Sequence, residues 1–368
     1  MKTTLRVLHV LGELKPSGAE AMLRVAAPWF ANEGVAPEIV STGAHMGSYA
    51  HQLAQAGYKL HHIPFSKTPD FFIALYRLMR AGRYHAFHLH TERANFWIGL
   101  VALAARPQRV VQTIHNSFAF RGNLRLRRMV QRLILRALGL VHVSISPSVE
   151  ETERVYFGLR TRLVPNWYDN NRFTRPTESE RRQAREALCI EVGQTVIVTV
   201  GNCSPVKNHV ALLHALGRLP ASFRPLYLHV GIEEPGNPEQ NLARKLGIAG
   251  QVRFLGALQD VRQALYASDI FVMPSLTEGF GIAAVEALAT GLPALLTNVA
   301  GLRDFRAQYD GLWYAEPDAS SLHAALEEML AVTSEQRRVR ARDYPAISAR
   351  LYGIERGVAS YLDVYRGH

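Results

Sequence analysis

A chain of 368 residues, 48% of them hydrophobic, is longer than one hydrophobic core usually organises and apolar enough to fill two. A formal charge of +11 makes the surface attractive to anions, and zinc-finger spacing, aromatic RNA-binding signatures and helix-turn-helix patterns are all missing, so a nucleic-acid partner is not expected. Two cysteines, Cys189 and Cys203, give no support to a disulfide framework and fit a reducing cytoplasm; neither thiol stands in an evident catalytic context.

In chain order, the first apolar stretch, Met1 to Leu14, is broken by His9, Gly12 and Glu13 and has no small-residue cleavage site. It is therefore predicted as a strand, Leu5 to Leu11, and not as a signal peptide. A helix from about Ser17 follows, then a strand at Glu38 to Thr42, a helix near Tyr49 to Ala56, and strands at Lys59 to Ile63, Tyr84 to His90, Val110 to Ile114, Val141 to Ile145 and Thr161 to Val164. Short apolar runs alternating with helices predict a parallel, doubly wound sheet. Asn170 to Arg185 is polar, contains Pro176 and lacks periodicity, which reads as an interdomain linker. The alternation restarts with strands at Val196 to Val200, Pro225 to Val230, Val252 to Leu255, Ile270 to Met273 and Ala294 to Thr297. The expected organisation is α/β: two doubly wound Rossmann-like domains, 1–172 and 186–346, facing a central cleft at the carboxyl ends of their strands. The first would be completed by 347–368 if that helical segment crosses back. No run of about 18 apolar residues occurs, so no bilayer-spanning helix is expected.

The segment that points to chemistry is Pro274-Ser-Leu-Thr-Glu-Gly-Phe-Gly281, which follows a strand and opens a helix running past Glu286 to about Thr290. Backbone amides at such a helix start, with glycines that admit a ligand, suit a diphosphate. Glu278, before the helix, and Glu286, more than one turn inside it, can address different parts of one ligand, and carboxylates suit sugar hydroxyls.

Glu278 and Glu286, separated by seven residues around Gly-Phe-Gly, resemble the signature of the family 4 retaining glycosyltransferases with the two-Rossmann GT-B fold. Asp269-Ile-Phe-Val-Met-Pro-Ser resembles the family's strand before that signature, and Ala289-Thr-Gly-Leu-Pro-Ala the turn and strand after it. Val200-Gly-Asn-Cys-Ser-Pro-Val-Lys207 resembles its loop ending in a phosphate-binding lysine, and Val164-Pro-Asn-Trp-Tyr-Asp169 its end of the first domain. The resemblance implies that Lys207 neutralises the donor diphosphate, that Glu286 holds the ribose, and that Glu278 with the amides of Gly279, Phe280, Gly281 and Ile282 grips the transferred sugar. Backbone from Gly256 to Leu258 would contact the base. Gly18, in Pro16-Ser-Gly-Ala-Glu20, resembles the glycine loop after the first strand, and His115, in Thr113-Ile-His-Asn116, the histidine beside the reacting sugar. Two departures stand out. Asn202 occupies the place of the family's usual Arg, removing half of a cationic clamp, and Trp167 stands where Gly is common.

His85, His88 and His90 invite a metal reading, but in a strand His88 and His90 share one face while His85 points the other way, so no metal site is expected there. Arg121 to Leu138 is predicted as a helix with Leu126, Met129, Val130, Leu133, Ile134 and Ala137 on one face and Arg121, Arg125, Arg128, Arg132 and Arg136 on another. Such a helix suits an anionic membrane surface, and equally a core contact with a solvated basic face.

The expected activity is transfer of a hexose-type unit, with retention, from a nucleotide diphosphate sugar, UDP-sugar foremost, to a saccharide or lipid-linked acceptor in bacterial surface polysaccharide or glycolipid assembly. Neither metal nor cofactor is expected, and the place is the cytoplasm, peripheral to the inner face of the membrane if the basic helix docks. Two rivals are a nucleotide-sugar 2-epimerase of the same fold, which would convert free donor without acceptor, and a non-catalytic nucleotide- or lipid-binding member, favoured by the loss of Arg at Asn202.

Overall fold

The computed structural model describes residues 5–92, 94–117 and 120–367; Met1–Thr4 and His368, the ends of the expected first domain, lie outside them. The chain divides into two units, Met1–Tyr168 with Ile354–His368, and Asp169–Gly353.

The first unit alternates β1 (Leu5–Leu11), α1 (Gly18–Asn32), β2 (Val35–Ser41), α2 (Ala50–Gln55), β3 (Lys59–His62), α3 (Pro69–Ala81), β4 (Ala86–Leu89), α4 (Asn95–Ala104), β5 (Arg109–Ile114), α5 (Gly122–Ala137), β6 (Val141–Ser144), α6 (Pro147–Phe157) and β7 (Arg162–Leu163). Its seven strands lie in the order β3-β2-β1-β4-β5-β6-β7, every pair parallel. A parallel sheet covered on both faces needs apolar residues on both, which is why the strands read as continuous apolar runs. Leu8 and Val10 of β1 pack with Phe71 and Leu75 of α3, while Leu11 packs with Leu23 of α1 and Leu53 of α2.

The second unit runs α7 (Glu178–Ala187), β8 (Val196–Val200), α8 (His209–Gly217), β9 (Leu226–Val230), α9 (Pro238–Lys245), β10 (Val252–Phe254), α10 (Arg262–Ala267), β11 (Ile270–Met273), α11 (Ile282–Ala289), β12 (Ala294–Thr297), β13 (Trp313–Ala315), α12 (Ala319–Ala331), α13 (Ser334–Arg340) and α14 (Tyr344–Tyr352). Its parallel sheet has the order β10-β9-β8-β11-β12-β13. Ile197, Ile270, Val272 and Leu295 of the strands meet Leu212, Leu213 and Leu326 of the helices in one core.

Three expectations change. Asn170 to Arg185 is not a bare linker: Thr177 and Glu180 form a capping box that starts α7, and Arg181 anchors that helix to Asp269 at 2.6 Å. The strand β13, a three-residue edge strand, was not foreseen. The stretch from Ile347 does not all join the first unit. Tyr344 and Ser348 of α14 are buried in the second, Ser348 Oγ lying 2.8 Å from the Tyr309 hydroxyl. Only α15 (Ile354–Arg366) belongs to the first unit, where Tyr361 and Tyr365 hydrogen-bond Thr113 and His88, each at 2.7 Å.

Candidate functional site

In an open parallel sheet, a crevice forms where successive connections leave in opposite directions, because the loops there splay apart. In the second unit that switch point lies between β8 and β11. The loop after β8 carries Lys207 and the loop after β11 carries Glu278, and their side chains meet: Lys207 Nζ lies 2.7 Å from Glu278 Oε1. The Ser275 hydroxyl donates to the same carboxylate oxygen at 2.7 Å, so Glu278 is aimed from two sides. Gly281, at φ +91°, turns the chain into α11, and a Cβ there would stand 2.7 Å from Leu302 Cδ2. No side chain caps this helix start, and with the Ala284 amide bonded to the Gly281 carbonyl, the amides of Ile282 and Ala283 are the ones available to an anion.

The loops are held closely enough to exclude larger residues. A Cβ on Gly231, after β9, would lie 2.1 Å from the carbonyl oxygen of Gly201, after β8. Asn202 is exposed, and its Oδ1 accepts the Ile232 amide at 2.9 Å, which spends its acceptor on the loop and leaves its NH2 as the end that could meet an anion. Phe280 is buried against Tyr352 and Phe305, at 5.2 and 5.7 Å between ring centroids. Its side chain therefore belongs to the core, and only its backbone can serve a ligand. Leu258 and Ile282 are partly buried.

Glu286 stands in the second turn of α11, and among the described residues nothing hydrogen-bonds its carboxyl. Burial pushes this carboxyl up to about 8; Arg172 pulls the other way, and Asp169 and Asp260 push further in the same direction. These neighbours were not singled out from the sequence. Asp260 in turn is held between Arg172, at 3.3 Å, and Arg262.

In the first unit the switch point lies between β1 and β4. Gly18 is the exposed first residue of α1. His115 follows β5 and heads a chain of imidazoles: its Nε2 lies 3.1 Å from Nδ1 of His90, whose Nε2 lies 3.1 Å from Nδ1 of His9. Burial lowers His115 to about 4 and His9 to about 3, and His90 falls well below its usual range. His115 is thus a neutral hydrogen-bonding group. His85 faces elsewhere, accepting from the Arg6 amide at 3.1 Å. His9, His88 and His90 do approach one another, but both nitrogens of His88 are bonded, to Tyr365 and Thr113, and both of His90, to His9 and His115. Trp167 is buried and donates to the Met22 carbonyl at 3.3 Å. Its ring occupies the space that a Cβ on Gly357 of α15 would need, which explains how a bulky residue fits at this position.

Residues 16–172 match the family model Glycosyltransferase Family 4, and residues 180–344 match Glycosyl transferases group 1. The chain belongs to the GT-B glycosyltransferases. It is 28% identical over 310 residues to EpsF of Bacillus subtilis, covering 80% of this chain and 79% of that one. It is 26% identical over 272 residues to the UDP-Gal:alpha-D-GlcNAc-diphosphoundecaprenol alpha-1,3-galactosyltransferase of Escherichia coli, covering 69% and 68% of the two chains. HepE of Anabaena, solved in complex with UDP and glucose, superposes with a TM-score of 0.81 at 19% identity, covering 98% of this chain and 99% of that one.

The basic helix of this glycosyltransferase departs from its expected layout. Arg132 is 4% exposed and its Nε lies 2.7 Å from Oε2 of Glu153, 1% exposed, on α6. Arg128 donates to Asn95 of α4 at 3.1 Å, and Leu135 packs at Gly99. The arginine side of α5 is therefore partly its inward side. Of the apolar residues expected on one face, Leu126, Val130 and Ile134 are exposed, at 57%, 45% and 40%, which a core contact does not explain. Arg121, Arg125 and Arg136 are exposed, Arg125 donating to the Tyr156 carbonyl at 2.9 Å. Arg127, not singled out from the sequence, is exposed as well. Among the described residues no helix is long and apolar enough to cross a membrane.

Proposed function

We propose that this glycosyltransferase is a retaining, metal-independent hexosyltransferase that moves a sugar from UDP to an acceptor hydroxyl in bacterial surface polysaccharide or glycolipid assembly. The observation that carries the reading is the 2.7 Å pair of Lys207 with Glu278 beside the uncapped start of α11. As the glycosidic bond breaks, the departing diphosphate takes the bonding electrons, and the charge it gains is what a cation and oriented amides stabilise. Lys207 supplies the cation, the α11 amides and Asn202 supply neutral donors, and Glu278, released from Lys207 by the diphosphate, accepts the hydroxyls of the sugar. Glu286 is assigned to the ribose. Retention rests on the resemblance carried by the Glu278 to Glu286 segment, and His115, neutral, hydrogen-bonds the reacting sugar.

UDP is favoured as the nucleotide by the complex of HepE with UDP and glucose. A lipid-linked acceptor is favoured by the diphosphoundecaprenol acceptor named for the Escherichia coli relative, and by α5, whose outward Leu126, Val130 and Ile134 flanked by Arg121, Arg125, Arg127 and Arg136 suit an anionic membrane face.

The test is a transfer assay with UDP-, GDP-, ADP- and dTDP-sugars against saccharide and undecaprenyl-diphosphate-linked acceptors, with EDTA present and the product anomer read by NMR. Transfer from a UDP-sugar with retained configuration is expected, and Lys207→Ala should weaken UDP binding about tenfold in calorimetry. Epimerisation of free UDP-sugar without acceptor, or an inverted product, would overturn the reading.

A further inference from the structure

Beside the donor loop, and independent of its assignment, four side chains from four elements converge in the second unit. Cys203 comes from the loop after β8, His209 from the first position of α8, His229 from within β9 and Glu239 from the second position of α9. All four are buried, at 7%, 3%, 0% and 5% exposure. One potential ligand atom from each lies within 4.8 Å of every other. Cys203 Sγ meets Glu239 Oε2 and lies 3.6 Å from His229 Nε2; His209 Nδ1 lies 3.4 Å from Glu239 Oε1; and the two imidazole centroids are 4.6 Å apart.

A carboxylate, a thiol and two imidazoles buried together bring many lone pairs and few protons. Nδ1 of His229 is buried without a hydrogen-bond partner, and Nδ1 of His209 has only its 3.4 Å approach to Glu239. Buried polar atoms are almost always paired, and an ion is one of the few things that satisfies several lone pairs at once. His229 Nε2 lies 3.0 Å from the Gly201 carbonyl oxygen; with that nitrogen donating, the unpartnered Nδ1 is the one left to bind an ion, and the 3.6 Å contact of Nε2 with Cys203 Sγ is not a distance between two ligand atoms. The histidine group of the first unit differs on this point, since both nitrogens of His88 and of His90 are already engaged.

We propose that Cys203, His209, His229 and Glu239 form a tetrahedral site for a divalent zinc-like ion. One thiolate, two imidazoles and one carboxylate are a borderline-soft set that selects zinc over magnesium or calcium. Tetrahedral zinc bonds of about 2.0 to 2.3 Å require ligand atoms about 3.3 to 3.6 Å apart, so pairs as far apart as 4.8 Å must close by up to about 1.5 Å while Cys203 and Glu239, already in contact, must open. With four protein ligands the set is closed, so the ion is structural and takes no part in the transfer. It ties β9 and α9 to the two ends of the segment from Cys203 to His209 that carries Lys207. On binding, the thiol and any protonated imidazole release their protons to solvent.

The sequence hid this site because its ligands are spaced by six, twenty and ten positions, a pattern set by the crossovers of the fold and not by one metal-binding turn.

The experiment uses the full chain, purified in reduced form, dialysed and analysed for metal, then stripped with chelator in mild denaturant and titrated with Co2+. About one zinc per chain is expected, and the cobalt form should show d–d bands of tetrahedral intensity with a thiolate-to-cobalt charge-transfer band. That band should vanish in Cys203→Ser and persist in Cys189→Ser, the exposed second cysteine. If Cys203→Ser does not fold, the wild-type cobalt spectrum and recovery of the thermal midpoint on adding one equivalent of zinc decide the matter. Absence of retained zinc together with no cobalt spectrum, or a spectrum without the thiolate band, would overturn the proposal. Because these outcomes are read from metal content, cobalt spectra and the thermal midpoint, they are separate from those of the transfer assay.

Discussion

Glu286 shows how a residue legible in the sequence can acquire a property that was not. Its place in the second turn of a helix follows from eight positions of sequence, but its protonation is set first by burial and then by Arg172, Asp169 and Asp260, brought in by other elements. With the carboxyl raised to about 8, roughly one molecule in ten is ionised at pH 7. A ribose offers two hydroxyl donors, which favour the ionised carboxylate. UDP affinity should therefore rise about tenfold per pH unit toward pH 8 and level off above it, with up to one proton released on binding. Calorimetry from pH 6 to 9 in buffers of different ionisation enthalpy measures both, and Glu286→Gln should bind more weakly with a flat profile. A wild-type profile as flat as that of the variant would remove Glu286 from the ribose.

At the scale of elements, periodicity placed α5 but could not say which side it buries, because burial is decided by the neighbour. Glu153 of α6 draws Arg132 inward, and its own carboxyl is pushed up to about 7 by burial, with Arg132 opposing. Two kinds of arginine on one helix should then behave differently. Arg132→Ala leaves a buried carboxyl without its partner and should cost about 3 kcal/mol in denaturant unfolding at pH 8, less at pH 6, where Glu153 can be neutral. Arg127→Glu with Arg136→Glu should leave stability nearly unchanged yet weaken co-sedimentation with anionic vesicles by one to two orders of magnitude, since each basic residue contributes about 1 kcal/mol at such a surface. Equal stability losses from both sets would mean that α5 has no distinct inner and outer arginines. Vesicle binding indifferent to the double variant would return its apolar face to some other partner.

For the whole molecule, twelve of the thirteen strands among the described residues were legible because a parallel sheet covered on both faces demands apolar runs wherever it occurs. Less legible were features that depend on contact across the fold: the edge strand β13, the capping box that makes α7 out of an apparent linker, and the turn at Gly353 that returns α15 to the first unit. The buried histidines of that unit belong to the same class, and they set its response to acid. His9 and His142 are lowered to about 3 and His115 to about 4, each chiefly by burial, and His88 and His90 fall well below their usual range. Unfolded, each takes up a proton near pH 6.5, whereas the native unit does not until far lower. Stability is thus fully present above about pH 6.5 and is lost as the pH falls from there, by up to about 1.4 kcal/mol per pH unit for each histidine, His115 dropping out near pH 4 and His9 and His142 near pH 3. A Trp313→Phe variant leaves tryptophan only in the first unit, at Trp29, Trp97 and Trp167, so its fluorescence reports that unit alone. Its urea midpoint should drop steeply between pH 6.5 and 5, and adding His142→Phe should shallow the slope by about one proton. A midpoint unchanged over that range would show that these histidines accept protons in the folded protein and are not held neutral by burial.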